Sequence, residues 1–517
     1  MGSRLVRLLA VCTLFGVAAS AQLATTTSLV GNVTDSSGRS IQNAAVTAVE
    51  TRTLARLTAT TNEQGYYSFE FVPVGVYSIT VEQAGFQKIT KTAIEVQINQ
   101  AVRTDFKLEV GAVTQAITVQ AEATAIKTDD ATVSEVLGTR AVSELPLSGR
   151  DPMTLAVATP GVLLGTKSSM TGVPPGNDFV GAGTREIQNS LSLDGIGIMN
   201  NLITTTPTRP MVETVQEVEV QTGTYSAQYG SYMGVHINMI TKGGTNQLHG
   251  AAVEFLRNQV LDARYFFTLP TPANPTASKP PLRQNQFGFE LDGPVVIPKL
   301  YNGRDKTFFM ASYEGFRNVQ QSTNLSTQMP AAFFKGDFSG VPAGSITGGA
   351  IKDPLNSNTP FAGNIIPTSR LSPIVQKLQP YYQAPNLTGL ANNLSVAVPS
   401  YLRYNQTVDR VDQNLGDKIR LYARAHWQEW NTFAGNQNAV NGTTVPTTIT
   451  NYTLGYTHTL TPSLVNDFRV GRNFFRSDAL NYFAVSGLKS AGTDLGITGF
   501  NGDTQYGNPG LPDFNIT

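Results

Sequence analysis

From residue 247 onward, apolar and polar residues alternate in short runs. Ala251, Val253 and Phe255 alternate with Ala252 and Glu254. Phe287, Phe289 and Leu291 alternate with Gly288, Glu290 and Asp292. Phe309, Ala311 and Tyr313 alternate with Met310, Ser312 and Glu314. The longest run sets Ile419, Leu421, Ala423, Ala425 and Trp427 against Arg420, Tyr422, Arg424, His426 and Gln428. Tyr452, Leu454 and Tyr456 follow, then Phe468 and Val470, and a weaker run covers 406–412. A period of two predicts β-strands, because successive side chains leave a strand on opposite faces. It does not say which face is buried. A membrane barrel turns the apolar face to lipid, whereas a soluble sandwich turns it into a core. Connection lengths favour the barrel. Residues 258–285, 318–405 and 431–450 read as long connections, and 293–306, 413–417 and Thr461-Pro462-Ser463 as shorter ones. Outer-membrane barrels have long outer loops and short periplasmic turns, and a soluble sandwich has no reason to keep that parity.

Residues 25–110 alternate too, in shorter runs: Tyr67, Phe69, Phe71; Tyr77, Ile79, Val81; Ile94, Val96, Ile98; Phe106, Leu108, Val110. Turn residues separate them at Asp35-Ser36-Ser37-Gly38, Asn62-Glu63-Gln64-Gly65 and Pro73-Val74-Gly75. Short strands at this spacing predict a compact β-sandwich. Tyr66 and Tyr67 can be read as a sugar-stacking pair or as core and turn packing, the second being the ordinary use of such residues. Residues 111–130 read as a linker carrying one extended segment, Ala116 to Ala121. Between linker and barrel, Val218 and Val220 alternate with Glu217 and Glu219. A run of small residues (Gly223, Ser226, Ala227, Gly230, Gly234) leads to a second strand at 237–241.

Composition narrows the compartment. Charged residues are 14% of the chain and the formal net charge is zero, so bulk charge points to no nucleic-acid partner. Arg4 and Arg7, the apolar run Leu8 to Val17 and the small residues Ala19-Ser20-Ala21 form the pattern of a secretory signal peptide over 1–21. The single cysteine, Cys12, lies inside that apolar run, so the mature chain is expected to contain no disulfide. The four histidines, His236, His249, His426 and His458, have no zinc-ligand spacing. No nucleophile elbow, phosphate loop or calcium loop occurs. Neither a metal, a cofactor nor an enzyme activity is expected.

Three segments resemble known families. GNVTDSSGRSIQNAAVTAV followed by TNEQGYYSFEFVPVGVYSITVEQAGF is similar to the carboxypeptidase regulatory-like domain, which implies a Greek-key sandwich without catalytic residues over 22–110. Residues 131–246 resemble the plug of TonB-dependent outer-membrane receptors. The resemblance rests on Glu144-Leu145-Pro146, Thr159-Pro160-Gly161-Val162, the strand and turn Ser190 to Ile196, and the stretch VQEVEVQTGTYSAQYGSYMGVHINMITKGGTN. Its motif positions here are Pro160, Gly161, Asp194, Gly195, Tyr229, Gly230, Asn238, Thr241 and Lys242. The Arg-Gly pair usual before the Asp-Gly strand is replaced by Asn189-Ser190, which fits the divergent Oar-like branch. In that family a Thr/Val-rich strand before the plug is the TonB box. The candidate here is Ile117, Thr118, Val119 and Gln120, and a final sandwich strand or a spacer is the alternative reading.

The fold expected is therefore mainly β: an N-terminal sandwich, a linker over 111–130, a plug over 131–246, and part of a transmembrane antiparallel barrel over 247–517. About seven barrel strands are legible. Since single-chain bacterial barrels use even numbers, the chain is expected to be C-terminally incomplete. The resemblance implies a transporter in the outer membrane of a Gram-negative-type bacterium, with its N-terminal domain in the periplasm. Outer-membrane lipid surrounds it and a TonB-like inner-membrane protein energises it. It moves a large ligand by displacing the plug. Oligosaccharides, metal chelates and peptides all satisfy that description, with carbohydrate binding favoured by analogy with the sandwich. The rival is a secreted or surface adhesin built of soluble sandwiches with a carbohydrate-binding N-terminal module.

Overall fold

The computed structural model describes residues 26–111, 116–120, 132–145, 150–165, 179–181, 183–200, 208–225, 230, 232–264, 279–346, 349–435, 442–461, 464–481 and 494–496. The expected signal peptide and Tyr229 lie outside them. Nine strands build the first unit: β1 (Thr26–Asp35), β2 (Ala45–Glu50), β3 (Arg56–Thr60), β4 (Tyr66–Pro73), β5 (Gly75–Glu82), β6 (Lys88–Val96), β7 (Val102–Arg103), β8 (Phe106–Leu108) and β9 (Ala116–Gln120). One sheet runs β4-β1-β7, with β8 also on β1; the other runs β3-β2-β5-β6-β9. The apolar alternates of both sheets, among them Leu29, Val46, Phe69, Ile79, Val81 and Phe106, interlock in one core. Tyr67 is part of that core, and its hydroxyl donates to the Thr104 carbonyl at 2.6 Å. Tyr66 is exposed. Burial pushes the Tyr67 phenol well above its ordinary range, so it stays a neutral donor.

The second unit centres on a five-stranded sheet in the order β10-β15-β16-β13-β14. Its strands are β10 (Val133–Leu137), β13 (Ser190–Leu193), β14 (Ile196–Gly197), β15 (Val215–Gly223) and β16 (His236–Thr241), beside a small hairpin of β11 (Val162–Leu164) and β12 (Phe179–Gly181). β13 and β16 run parallel and the other pairs antiparallel. Strands β13, β15 and β16 are buried along nearly their whole length. That burial on both faces requires structure above and below the sheet.

The third unit is a meander of long antiparallel strands, paired in chain order: β17 (His249–Asn258), β18 (Leu282–Pro294), β21 (Thr307–Ser326), β24 (Leu394–Leu415), β25 (Ile419–Gly435), β26 (Gly442–Thr461) and β27 (Leu464–Ser477). Short hairpins β19 (Val296–Ile297) with β20 (Tyr301–Asn302), and β22 (Lys352–Asp353) with β23 (Thr359–Pro360), sit in its connections, and β28 (Leu480–Asn481) pairs with β26.

The polarity of this sheet decides between barrel and soluble sandwich. Gln286, Glu290, Asp292, Ser312, Glu314, Gln406, Arg424, His426, Gln428, Asn451 and Arg469 are buried on one face. Phe289, Leu291, Val411, Trp427, Tyr452, Leu454, Phe468 and Val470 are exposed on the other. A core-forming sandwich demands the reverse. An outward apolar surface with a polar interior is what lipid selects.

Strand lengths differ from the sequence expectation. β21 runs on to Ser326 and β24 begins at Leu394, so the connection expected over 318–405 is shorter. β25 continues to Gly435 and β26 starts at Gly442, through most of the connection expected over 431–450. A strand needs about 9–11 residues to cross a bilayer, and β21, β24 and β26 have 20 to 22. The surplus lies at the end with the long connections. There β21 turns largely polar, from Gln320 to Ser326, and the apolar alternation that reveals a strand in sequence fades. The other end keeps a tight connection at 416–418.

Candidate functional site

The β13–β14 turn of the second unit meets the long sheet through a buried cluster of charges. Asp194 and Gly195 both have positive φ, +50° and +78°. Two consecutive positive φ values favour Asp, Asn or Gly at the first place and Gly at the second. Asp194 therefore serves the turn as well as the site. Its carboxylate is buried and takes three kinds of partner. Oδ1 accepts the Thr241 backbone N–H at 2.9 Å, and Oδ2 accepts the Thr241 hydroxyl at 2.8 Å. Two arginines then reach it from the barrel wall. Arg424 Nε on β25 lies 2.7 Å from Oδ2, an ion-pair contact rather than an in-line hydrogen bond. Arg410 Nη1 on β24 lies 3.5 Å from Oδ1.

Both arginines are tied down on their own side. Arg424 Nη2 donates to Asn451 Oδ1 and Thr453 Oγ1, each at 2.6 Å, and to the Leu193 carbonyl at 3.3 Å. Arg410 forks onto Asp412, with Nε–Oδ2 at 3.0 Å and Nη2–Oδ1 at 2.8 Å. Its Nη1 reaches Thr241 O and Oγ1, both at 3.1 Å. The Tyr422 hydroxyl donates to the Asp194 carbonyl at 3.3 Å, and the Arg410 guanidinium lies 4.7 Å from the Tyr422 ring centre. Two cations and two carboxylates thus balance. Such a cluster repays its desolvation only while every member is present.

The neighbouring motif positions support this latch. Asn238 accepts the Ser192 hydroxyl at 2.7 Å, locking β13 to β16. The Lys242 N–H donates to the Thr214 carbonyl at 2.8 Å. At Gly244 the chain presses against the wall: a Cβ there would lie 2.5 Å from the Phe309 carbonyl oxygen and 2.8 Å from that of Gly293. Pro160 and Gly161 stand apart from the latch. They form the turn from a 3-10 helix (Pro152–Ala158) into β11, where Gly161 takes φ +84° and the Val162 N–H donates to the Thr159 carbonyl at 3.2 Å. Gly230 is exposed. Two further contacts join the second unit to the long sheet: Arg150 lies over the Phe255 ring at 4.0 Å, and Arg209 over the Trp430 ring at 5.6 Å.

Ile117 to Gln120 lie in β9, which pairs parallel with Lys88–Thr92 of β6 as the last strand of its sheet; Thr118 and Val119 are exposed. Sequence reasoning did not single out Arg410, Asp412 or Arg424 as partners of Asp194. The available signal was two arginines on the polar face of wall strands, but nothing local connects them to a turn more than 200 residues earlier. The histidines are dispersed. His236 packs edge-on to Tyr225 with ring centres 4.3 Å apart, and burial lowers its pKa to about 4. His426 Nε2 is 3.2 Å from Gln406 Oε1, His249 is 3.9 Å from Asp292, and His458 Nδ1 is 2.8 Å from the Tyr456 hydroxyl. Among the described residues, no group of three or more His, Cys, Asp or Glu side chains is placed to hold a metal.

Against known proteins, residues 240–517 match the family described as outer membrane beta barrel domain, and residues 28–109 match the carboxypeptidase regulatory-like domain. Over 336 residues the chain is 25% identical to the TonB-dependent transporter Oar of Myxococcus xanthus; the match covers 60% of this chain and 29% of that protein. The chain thus spans under a third of the curated relative it matches. Among solved structures it is similar to the outer membrane transporter YddB of Escherichia coli (10% identity, TM-score 0.42, 67% of this chain and 39% of that one). It is also similar to the alcaligin outer membrane receptor FauA of Bordetella pertussis (10% identity, TM-score 0.36, 69% and 49%). The family matches, rather than these superpositions, carry the assignment.

Proposed function

Because the chain belongs to the outer membrane beta barrel domain family, we propose that it forms the N-terminal part of a TonB-dependent transporter. In this reading residues 131–246 plug the barrel and residues from 247 onward form its wall. The single observation that carries it is the latch. Two arginines on the inward face of the wall converge on one carboxylate in the domain that fills it.

A large ligand (oligosaccharide, metal chelate or peptide) enters from the side with the long connections. The sandwich lies in the periplasm. Support comes from the Asn246 N–H, which donates to the Arg52 carbonyl at 3.1 Å beside the tight-turn end of the wall. Energy enters through Ile117, Thr118, Val119 and Gln120. Their outer edge has no paired strand among the described residues, so backbone pairing with a TonB-like partner's sheet is open to them. A pull transmitted along the chain separates Asp194 from Arg410 and Arg424 and loosens the plug. The carboxypeptidase-like sandwich takes part as a structural module, not as an enzyme.

The charge of Asp194 is the test. Asp194→Asn keeps the positive-φ turn and removes the charge, leaving two arginines against a neutral amide. Removing one partner of a buried pair costs about 3–5 kcal/mol. The full-length gene product carrying Asp194→Asn is expected to show a lower plug melting temperature and a raised ion conductance in planar bilayers. Unchanged melting and conductance would remove the latch from the mechanism.

A further inference from the structure

The connection between β18 and β21, at the tight-turn end of the long sheet, turns apolar side chains outward. Val296, Ile297, Pro298, Leu300 and Tyr301 are all exposed, Leu300 by 80%. The segment is not a loose loop. In the β19–β20 hairpin Val296 pairs with Asn302 and Ile297 with Tyr301. The Val295 N–H donates to the Thr307 carbonyl and the Gly303 N–H to the Val295 carbonyl, both at 2.9 Å. A Cβ at Gly303 would lie 2.6 Å from that Val295 oxygen, so the close approach requires glycine. The Tyr301 hydroxyl bonds the Thr307 hydroxyl. Asp305 exchanges two hydrogen bonds with the Asn246 side chain: its N–H donates to Asn246 Oδ1 at 2.7 Å, and its Oδ1 accepts Asn246 Nδ2 at 2.6 Å. Apolar residues held outward by so braced a hairpin are placed by construction, and such a patch marks an interaction surface.

The tip adds charge. The Leu300 N–H closes a turn on the Ile297 carbonyl at 3.0 Å, with Pro298 first inside it and Lys299 second, at φ +65°. Glycine is the ordinary residue at that second place. Lysine there sets a cation at the tip at some conformational cost. Arg304 and Lys306 are exposed too, against one carboxylate, Asp305. The adjoining surface indicates what the hairpin meets. Phe289 and Leu291 are exposed on the outward apolar face of β18, and Leu248 is exposed beyond them. A Cβ at Gly293 would come 3.0 Å from Leu248 Cδ1, so the apolar band reaches the base of the hairpin. We propose that the hairpin is a lipid anchor: Val296, Ile297 and Leu300 enter the interface of the periplasmic leaflet, and Lys299, Arg304 and Lys306 hold anionic phospholipid headgroups. The proposal rests on the transporter reading. The long cationic side chains lay their stems on apolar surface and keep their charged ends at the phosphates. Through Asp305 and Asn246 the anchor steadies the long sheet where the chain leaves the second unit.

Proteoliposomes of the full-length gene product provide the test. An environment-sensitive fluorophore is attached at Leu300→Cys, in a background without other cysteines. It is quenched by brominated phosphatidylglycerol or, at the same mole fraction, by brominated phosphatidylcholine. A heat-modifiable gel band checks that each variant is folded. The Leu300→Cys fluorophore is expected to be shielded from aqueous acrylamide and quenched by both lipids, about twofold more strongly by phosphatidylglycerol. Lys299→Gln, Arg304→Gln and Lys306→Gln together are expected to abolish that preference and leave the shielding. A fluorophore at Leu454→Cys, on the outward face of β26, is expected to be quenched equally by the two lipids. If Leu300→Cys is open to acrylamide and unquenched by lipid while Leu454→Cys is quenched, the anchor is overturned and the barrel stands; the hairpin then faces a protein partner. Equal quenching of Leu300→Cys by the two lipids, or a preference that survives the triple change, overturns the headgroup contact. If lipid quenches neither site, the membrane reading falls and the anchor falls with it.

Discussion

Ile79 in the sandwich and Leu454 in the long sheet occupy strands of the same two-residue period, yet Ile79 is 0% exposed and Leu454 is 57% exposed. Around Ile79 the apolar alternates meet those of a second sheet, and the polar alternates face water. Around Leu454 the polar alternates Asn451, Thr453, Arg424 and His426 are buried, and the apolar ones form the outer surface. The difference teaches that alternation identifies a strand, while the solvent on each side decides which face is inside. In water, apolar burial drives the choice. In lipid, apolar side chains gain nothing by hiding, and polar side chains turn to the interior.

Truncation breaks the comparison most sharply. Ile79→Ala opens a cavity in the sandwich core and is expected to cost about 2–5 kcal/mol, read as loss of protease resistance of residues 26–111 in urea. Leu454→Ala removes a lipid-facing side chain and opens no packed cavity, so its cost is expected to be well below that. The two tryptophans, Trp427 and Trp430, both lie in the long sheet, so their fluorescence reports that unit alone. Equal losses at the two sites would mean that both faces are cores.

A charge inverts the test. Leu454→Arg is expected to cost about 2–4 kcal/mol near the bilayer midplane, seen as loss of the heat-modifiable folded band in lipid. Thr58→Arg, on the exposed face of β3, is expected to stay within about 0.5 kcal/mol. A harmless Leu454→Arg would return the long sheet to water.

The smallest effect concerns a second carboxylate site, where the sandwich docks on β15: the Ile98 N–H donates to Glu217 Oε2 at 3.0 Å, and Asn99 Nδ2 to Glu219 Oε2 at 2.7 Å. Burial pushes Glu217 up from 4.5 to about 7; the Ile98 N–H and Arg52 oppose the rise, and Glu219 and Glu95 add to it. Arg140, Glu144 and Gln216 line the cleft beside it. A carboxyl with a raised pKa binds its proton more tightly in the docked state. Docking is thus strengthened as pH falls from about 7 toward 4.5 and weakened as pH rises through 7. The limit is about tenfold per pH unit for one proton. Maleimide labelling at Gln216→Cys, scanned between pH 5 and pH 8, is expected to quicken with pH and to lose most of that dependence in Glu217→Gln. A flat profile in the parent protein would show that docking does not desolvate Glu217.

Much of the architecture was legible because local chemistry repeats. Phe289, Leu291, Leu454, Phe468 and Val470 could be assigned to one face from alternation alone, and Asp194-Gly195 to a turn from its φ requirement. The ends of β21, β24, β25 and β26 were not legible. Gln320 to Ser326 and Thr443 to Thr450 are mostly polar, with Leu325, Val445 and Ile449 the apolar exceptions, so they look like loop. The latch was half legible: Asp194 and Thr241 stand in a family-like motif, whereas Arg410 and Arg424 resemble any polar-face residues until the wall closes around the turn. Glu217 and Glu219 read only as the polar alternates of a strand, because nothing in the strand announces that Ile98 and Asn99 will bond them.

Strand periodicity and turn positions are thus properties of the sequence itself, since each depends on residues within a few positions of one another. The side on which each apolar face ends, the pairing of the Asp194 carboxylate with two arginines of the long sheet, and the covering of two glutamates by the sandwich were decided only by the tertiary structure. The last two join groups more than a hundred residues apart, and the cost of burying a charge depends on which partner arrives.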